Sequence, residues 1–171
     1  MSHFEHILTN HYKADLVAWM HDHPEAFDEA IALACSDRQP YAWRASWLLW
    51  SCMENNDARI TSSVKEIMGR LADTGENHQR ELIKILYNIE IPEHYEGCLF
   101  DICAGLWTQP GKQPSIRYNA FKLIFKIARH HPSLVGEVKL LVDEQYLETV
   151  SPLVKKGVLE MVGILDKTNQ M

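Results

Sequence analysis

Three groupings of side chains in this sequence have the types and spacing to do chemistry, and all three suit recognition better than reaction. Lys122, Lys126 and Arg129 recur at i, i+4 and i+7, which places them on one face of a helix. With Lys112 and Arg117 they occupy a span, 112–131, that contains no Asp or Glu. Such a stripe attracts an anionic partner, either an acidic protein segment or a phosphate backbone. The plainer reading is the solvated face of an amphipathic helix. Trp43, Trp47 and Trp50 show the same spacing, with Tyr41, Ala45, Leu48, Leu49 and Cys52 covering another side of their helix. Tryptophan is enriched at interface hot spots and stacks on any base, whereas a helix apolar nearly all round is usually buried between neighbours. Trp19 and Trp107, isolated at amphipathic positions, are expected to fill core. The third grouping is histidine: five of the nine, His3, His6, His11, His21 and His23, lie near the N-terminus with Glu5, Asp15 and Asp22. His3 and His6 have helical spacing for shared ligation. There is no H-E-x-x-H, and His23-Pro24 and His131-Pro132 read as helix ends, so no metal site is expected.

Catalytic templates fail on inspection. Gly105 and Gly111-Lys112 have the wrong glycine spacing for a P-loop, and Gln113 stands where a Ser or Thr must touch Mg²⁺. Neither G-x-G-x-x-G nor G-x-S-x-G occurs, and the carboxylates Asp28, Glu29, Glu93 and Glu96 lack a partner that marks an acid–base pair. The expectation is no catalytic residue and no cofactor.

The elements that position these groups follow from the chain as a whole. It has 171 residues, 46% of them hydrophobic, with 17 Lys+Arg against 23 Asp+Glu and a formal net charge of −6. A chain of this mass buries roughly 70% of its unfolded surface without a disulfide or metal staple. Cys35, Cys52, Cys98 and Cys103 form no C-x-x-C pair and read as buried thiols in a reducing compartment. The longest apolar stretch, 45–53, is broken by Ser46 and Ser51 and falls well short of the ~20 residues that span a bilayer. The N-terminus lacks the basic start and apolar run of a secretory signal. A cytoplasmic protein without a membrane segment is expected.

Apolar residues recur with a period of 3.6 almost throughout and strand-length alternation is absent, which predicts an all-α fold. The predicted helices are 11–22, 24–36, 40–54, 57–73, 77–90, 93–108, 115–130, 133–147 and 151–167. Pro24, Pro40, Pro92, Pro114 and Pro152 each fall where a helix can start. Asp57 and Ser133 are candidate N-caps, and Gly75 a candidate helix terminator.

A weak internal repeat organises these helices. Arg38-Gln39-Pro40 recurs as Lys112-Gln113-Pro114, 74 residues later, or two steps of 37. Cations follow at matching places, Arg44, Arg80, Arg117 and Lys155, spaced 36, 37 and 38 residues apart. Apolar pairs then recur in phase, as stacked helix pairs need for one continuous core. At Asp37-Arg38-Gln39-Pro40-Tyr41-Ala42-Trp43-Arg44 the chain resembles the HEAT-like or armadillo-type α-solenoids, in which an Asp turn and a Pro precede an Arg opening the second helix. Asp37 stands seven residues before that Arg, and the fourth repeat has Lys155 in its place.

The resemblance implies a single domain, 1–171, wound as a right-handed α-α superhelix of four two-helix repeats. These fall at about 24–55, 57–91, 92–131 and 132–168, behind a cap at 1–23. It also implies that Arg44, Arg80, Arg117 and Lys155 are structural cations that stitch neighbouring repeats. If the second helices line a concave face, they and their leading residues (38–54, 76–91, 112–131, 151–168) carry 12 Lys+Arg against 6 Asp+Glu, leaving 5 against 17 elsewhere. The expected function is a non-catalytic scaffold that binds an acidic or amphipathic protein segment on this basic face through Arg117, Lys122, Lys126, Arg129, Trp43, Trp47 and Trp50. The alternative is nucleic-acid binding, with or without the glycosylase-like chemistry of some HEAT-like DNA-repair proteins. The sequence leaves partner identity and oligomeric state open.

Overall fold

The computed structural model describes residues 1–171 as twelve α-helices and two 3-10 turns, with no strand. They fall into two compact units, Met1–Ile91 and Pro92–Met171. No helix is long and apolar enough to cross a membrane.

The first unit contains α1 (His3–Asn10), α2 (Lys13–Asp22), a 3-10 turn at Pro24–Ala26, α3 (Phe27–Ala34), α4 (Tyr41–Cys52), α5 (Ala58–Thr61), α6 (Val64–Ala72) and α7 (Glu76–Tyr87). Its centre is α4, which packs against α1, α2, α3 and α7. The sequence makes this crowding feasible: Ala42, Ala45 and Ser46 are small and fully covered, and Leu48 and Leu49 fill the remaining directions. A helix contacted on several sides must be apolar on several sides, as α4 is. α6 pairs with α7, where Leu82, Ile83, Ile85 and Leu86 are all sealed from solvent.

The second unit contains α8 (Glu93–Trp107), α9 (Pro114–Ala128), a 3-10 turn at Pro132–Leu134, α10 (Val135–Leu140), α11 (Glu144–Leu147) and α12 (Pro152–Asn169). α8 packs along α9, and both α9 and α10 pack on α12. The fully buried Trp107 is tilted against Phe121 with ring centroids 4.9 Å apart. Its indole N–H donates to the Leu141 carbonyl at 2.6 Å, so the large ring is buried without an orphaned donor. Where α9 meets α12, Gly157 faces Tyr118, and a Cβ there would lie 2.5 Å from the phenol oxygen.

Five details depart from the sequence expectation, each for a local reason. An extra helix, α1, precedes the predicted helix 11–22, within the predicted cap at 1–23. The Ser2 hydroxyl accepts from the Glu5 N–H at 3.1 Å while the Glu5 carboxylate accepts from the Ser2 N–H at 2.7 Å, closing a capping box. The predicted helix 57–73 breaks into α5 and α6 at Ser62-Ser63, adjacent hydroxyl residues that compete with the helical backbone. The predicted 133–147 breaks at Val142-Asp143, because the Asp143 carboxylate captures the Gln145 N–H and restarts the chain as α11. Gly75 has φ −71° and opens α7 instead of closing α6. Ser133 lies inside a 3-10 turn and caps nothing. By contrast, the Asp57 carboxylate caps α5, and Pro114 and Pro152 stand in the first turns of α9 and α12.

Candidate partner-binding surfaces

The four repeat cations end in graded environments. Arg117, at the fourth position of α9, is 1% exposed. Its Nε donates to the Trp107 carbonyl at 2.8 Å, Nη1 to Thr149 Oγ1 at 2.7 Å and Nη2 to the Tyr146 carbonyl at 2.9 Å. The guanidinium also lies 4.8 Å from the Trp107 ring centroid. Burial pulls its pKa down from the usual arginine value, and the cation is matched by carbonyls at the ends of α8 and α11. Arg44, at the corresponding place in α4, bonds the Leu8 carbonyl through Nε and the His11 carbonyl through Nη2 at 3.3 Å. Arg80 and Lys84 flank the buried Glu81 at 3.0 and 3.2 Å. Lys155 meets Glu144 at 3.0 Å on the surface.

The expected partner-facing residues separate in this light. Arg117 was expected in both roles, but its donors are directed at three internal acceptors and its side chain is sealed from solvent. It is therefore a poor contact for a partner. Lys122 and Lys126 are half-buried on α9, and Arg129 is exposed at its C-terminal end. Lys122 lies 5.4 Å over the Tyr118 ring and Arg129 5.7 Å over the Phe125 ring. In both contacts the charged head itself lies over the ring, a cation–π pair.

In the first unit, Trp43 and Trp47 are half-buried and Trp50 is 37% exposed, so this face of α4 is neither core nor open surface. Lys13 lies 4.9 Å over the Trp47 ring and Lys84 4.6 Å over that of Trp50. The Trp43 indole N–H is buried without an acceptor. Trp43 also borders a groove of about 290 Å³ whose walls come from the turn at Gln39-Pro40 and from 74–78.

His78 was not singled out from sequence, and Asp57, Glu5 and Glu96 were named there in other connections. His78, 2% exposed, joins three helices of the first unit. Its Nε2–H donates to the Ala34 carbonyl and the Ser46 hydroxyl, both at 3.0 Å, and Nδ1 accepts from Thr74 Oγ1 at 2.9 Å and Gln39 Nε2 at 3.1 Å. The neutral ring satisfies every partner, and burial, opposed by the Ala34 bond, pulls its pKa below the ordinary histidine value. The available signal was phase: His78 sits at i relative to Leu82 and Ile85 at i+4 and i+7, the buried face of α7. Asp57 is held at about 2, chiefly by hydrogen bonds from the Arg59 guanidinium, with the Glu54 and Arg59 N–H groups adding to it. Glu5, besides capping α1, pairs with Arg38. In the second unit Glu96 receives His131 directly and lies 3.8 Å from His130.

The N-terminal histidines make local contacts: His6 with Asn10, His11 with the Ile7 carbonyl, His23 with the Trp19 carbonyl and ring. No group of three or more His, Cys, Asp or Glu is arranged to hold a metal. Of the cysteines, Cys103 is buried, Cys35 and Cys52 are partly covered and Cys98 is exposed, which corrects the expectation of four buried thiols. Burial pushes the Cys35 thiol up to about 11 and raises those of Cys52 and Cys103, away from nucleophilic reactivity.

No curated protein and no solved structure matches the chain. The family model of the HEAT repeat domain matches residues 3–162. Helix pairs joined by short turns, with an arginine at the head of α4 and of α9 bonded to neighbouring helix ends, fit that match, and the chain belongs to the HEAT repeat family.

Proposed function

We propose that this protein is a cytoplasmic, non-catalytic scaffold that binds an acidic or amphipathic segment of another protein on the surface of its second helices. The observation that carries the reading is the family match across residues 3–162, since HEAT repeats are generally protein-interaction scaffolds. Charge supports the finer part. The second helices with their leading residues hold twice as many cations as anions, in a chain that is acidic overall. In the second unit, Lys122, Lys126 and Arg129 supply the attraction for a negative partner. In the first, Trp43, Trp47 and Trp50 supply large, partly covered aromatic surface of the kind that anchors interfaces.

The test is a tagged pull-down from native cytoplasm, with and without nuclease and at two salt concentrations, read by mass spectrometry. A stoichiometric, nuclease-resistant protein partner is expected, retained less well at high salt. Recovery that disappears with nuclease contradicts the reading in favour of nucleic-acid binding.

A further inference from the structure

We infer that the junction of α1, α2 and α4 in the first unit is a docking site for a short acidic peptide segment carrying an apolar anchor. This deepens the scaffold reading and rests on it. Two concavities meet there and share Lys13 and Arg44 as walls. The larger, about 450 Å³, is otherwise lined by Thr9, Asn10, His11 and Tyr12. The smaller, about 20 Å³, is otherwise lined by Leu16, Trp43 and Trp47. The two linings contain two cations and no carboxylate.

The cations are prepared for an anion in different ways. Arg44 is fixed by the Leu8 and His11 carbonyls through Nε and Nη2, and neither bond uses Nη1, so a positioned guanidinium retains donors for a carboxylate. Lys13 is exposed and rests over the Trp47 ring. A cation already occupying that ring disfavours a basic or methyl-lysine ligand, which needs a free aromatic face. Volume decides how the apolar part binds. Space of about 20 Å³ admits little more than one water-sized group. An apolar side chain therefore lies across Trp43 and Trp47, while the larger concavity takes the carboxylate and adjoining backbone.

The charge of the unit selects a short segment over a polyanion. Residues 1–91 carry 8 Lys+Arg against 14 Asp+Glu. A long phosphate backbone meets that excess of carboxylates as well as the two cations, whereas a few acidic residues meet the cations alone.

The test is selection of a phage-displayed random dodecapeptide library on the full chain. Enriched peptides are then resynthesised and titrated against the unaltered chain, Lys13→Glu, and Lys122→Glu with Lys126→Glu. The result expected is enrichment of sequences with Asp or Glu within two residues of an aromatic or Leu. Their affinity should fall tenfold or more in Lys13→Glu, a larger loss than in the α9 double variant, and binding should change the tryptophan fluorescence. Because Lys13 is exposed, an unchanged circular-dichroism melting curve confirms that the variant is folded. Enrichment of basic sequences, no enrichment, or binding indifferent to Lys13→Glu overturns the inference. So does a labelled single-stranded oligonucleotide whose binding is abolished by Lys13→Glu while no peptide is enriched. Binding lost only in the α9 double variant overturns this site and leaves the scaffold reading standing. A pull-down without a nuclease-resistant partner contradicts the scaffold reading itself.

Discussion

Residues 1–91 carry 8 Lys+Arg against 14 Asp+Glu, while residues 92–171 carry 9 of each, yet both units turn one arginine inward at the same place in a helix pair. Arg44 sits near the head of α4 and Arg117 near the head of α9, and both donate to backbone carbonyls at the ends of other helices. The inward cation is thus set by its position in the repeat and by the unpaired carbonyls it meets, while unit charge leaves it unaffected. The comparison also separates two degrees of dependence. Arg117 is sealed from solvent with three acceptors, and Arg44 is half-buried with two.

The largest expected effect is that of Arg117→Ala, which orphans the Trp107 carbonyl, takes one of two donors from the Tyr146 carbonyl and leaves a cavity beside the Trp107 ring. It should lower stability in urea by about 3 kcal/mol. Arg44→Ala should cost less, about 2 kcal/mol, since water reaches part of its site. Equal losses, or a larger one at Arg44, would break the comparison. Gly157→Ala tests the second unit alone: the new methyl must push the Tyr118 phenol aside, at about 1 kcal/mol.

His78 sharpens the comparison through pH, because it ties the first unit and has no counterpart among the buried groups of the second. Its folded pKa is lowered, so the unfolded chain binds the proton more readily. Stability is then greatest above the unfolded value of about 6.5 and declines as pH falls below it. His78→Gln should flatten that slope in denaturation curves between pH 7 and 5. At Asp57 the carboxyl is depressed to about 2, so its contribution is present above the ordinary aspartate range and lost as pH falls through about 2. Asp57→Asn should remove that acid limb and cost about 1 kcal/mol at neutral pH, read from the same urea curves.

Apolar positions recurring every 3.6 residues carried the helices, because burying one face of each helix imposes that spacing. They could not reveal where a helix stops for a capping side chain, as at Ser62-Ser63 and Asp143, since those breaks keep the apolar phase. The Ser2…Glu5 capping box has the S-x-x-E spacing, yet no helix was expected there. Repeat spacing singled out Arg44 and Arg117, and both donate to backbone carbonyls of other helices. The roles of His78 and Lys13 were not legible in the residues: one depends on acceptors up to 44 residues away, the other on the approach of α2 to Trp47. Spacing alone also could not sort buried from outward cations, which is why Arg117 stood beside Lys122 and Lys126 in the expected partner set.

The central proposal is that the α9 cations Lys122, Lys126 and Arg129 meet the partner, while the sealed Arg117 holds its helix pair. It is tested most directly by the association rate of the captured partner with the unaltered chain and with Lys122→Glu plus Lys126→Glu, at low and high salt. The account predicts association slowed about tenfold or more at low salt, the two proteins converging at high salt with unchanged melting temperatures. Equal rates at low salt would contradict it.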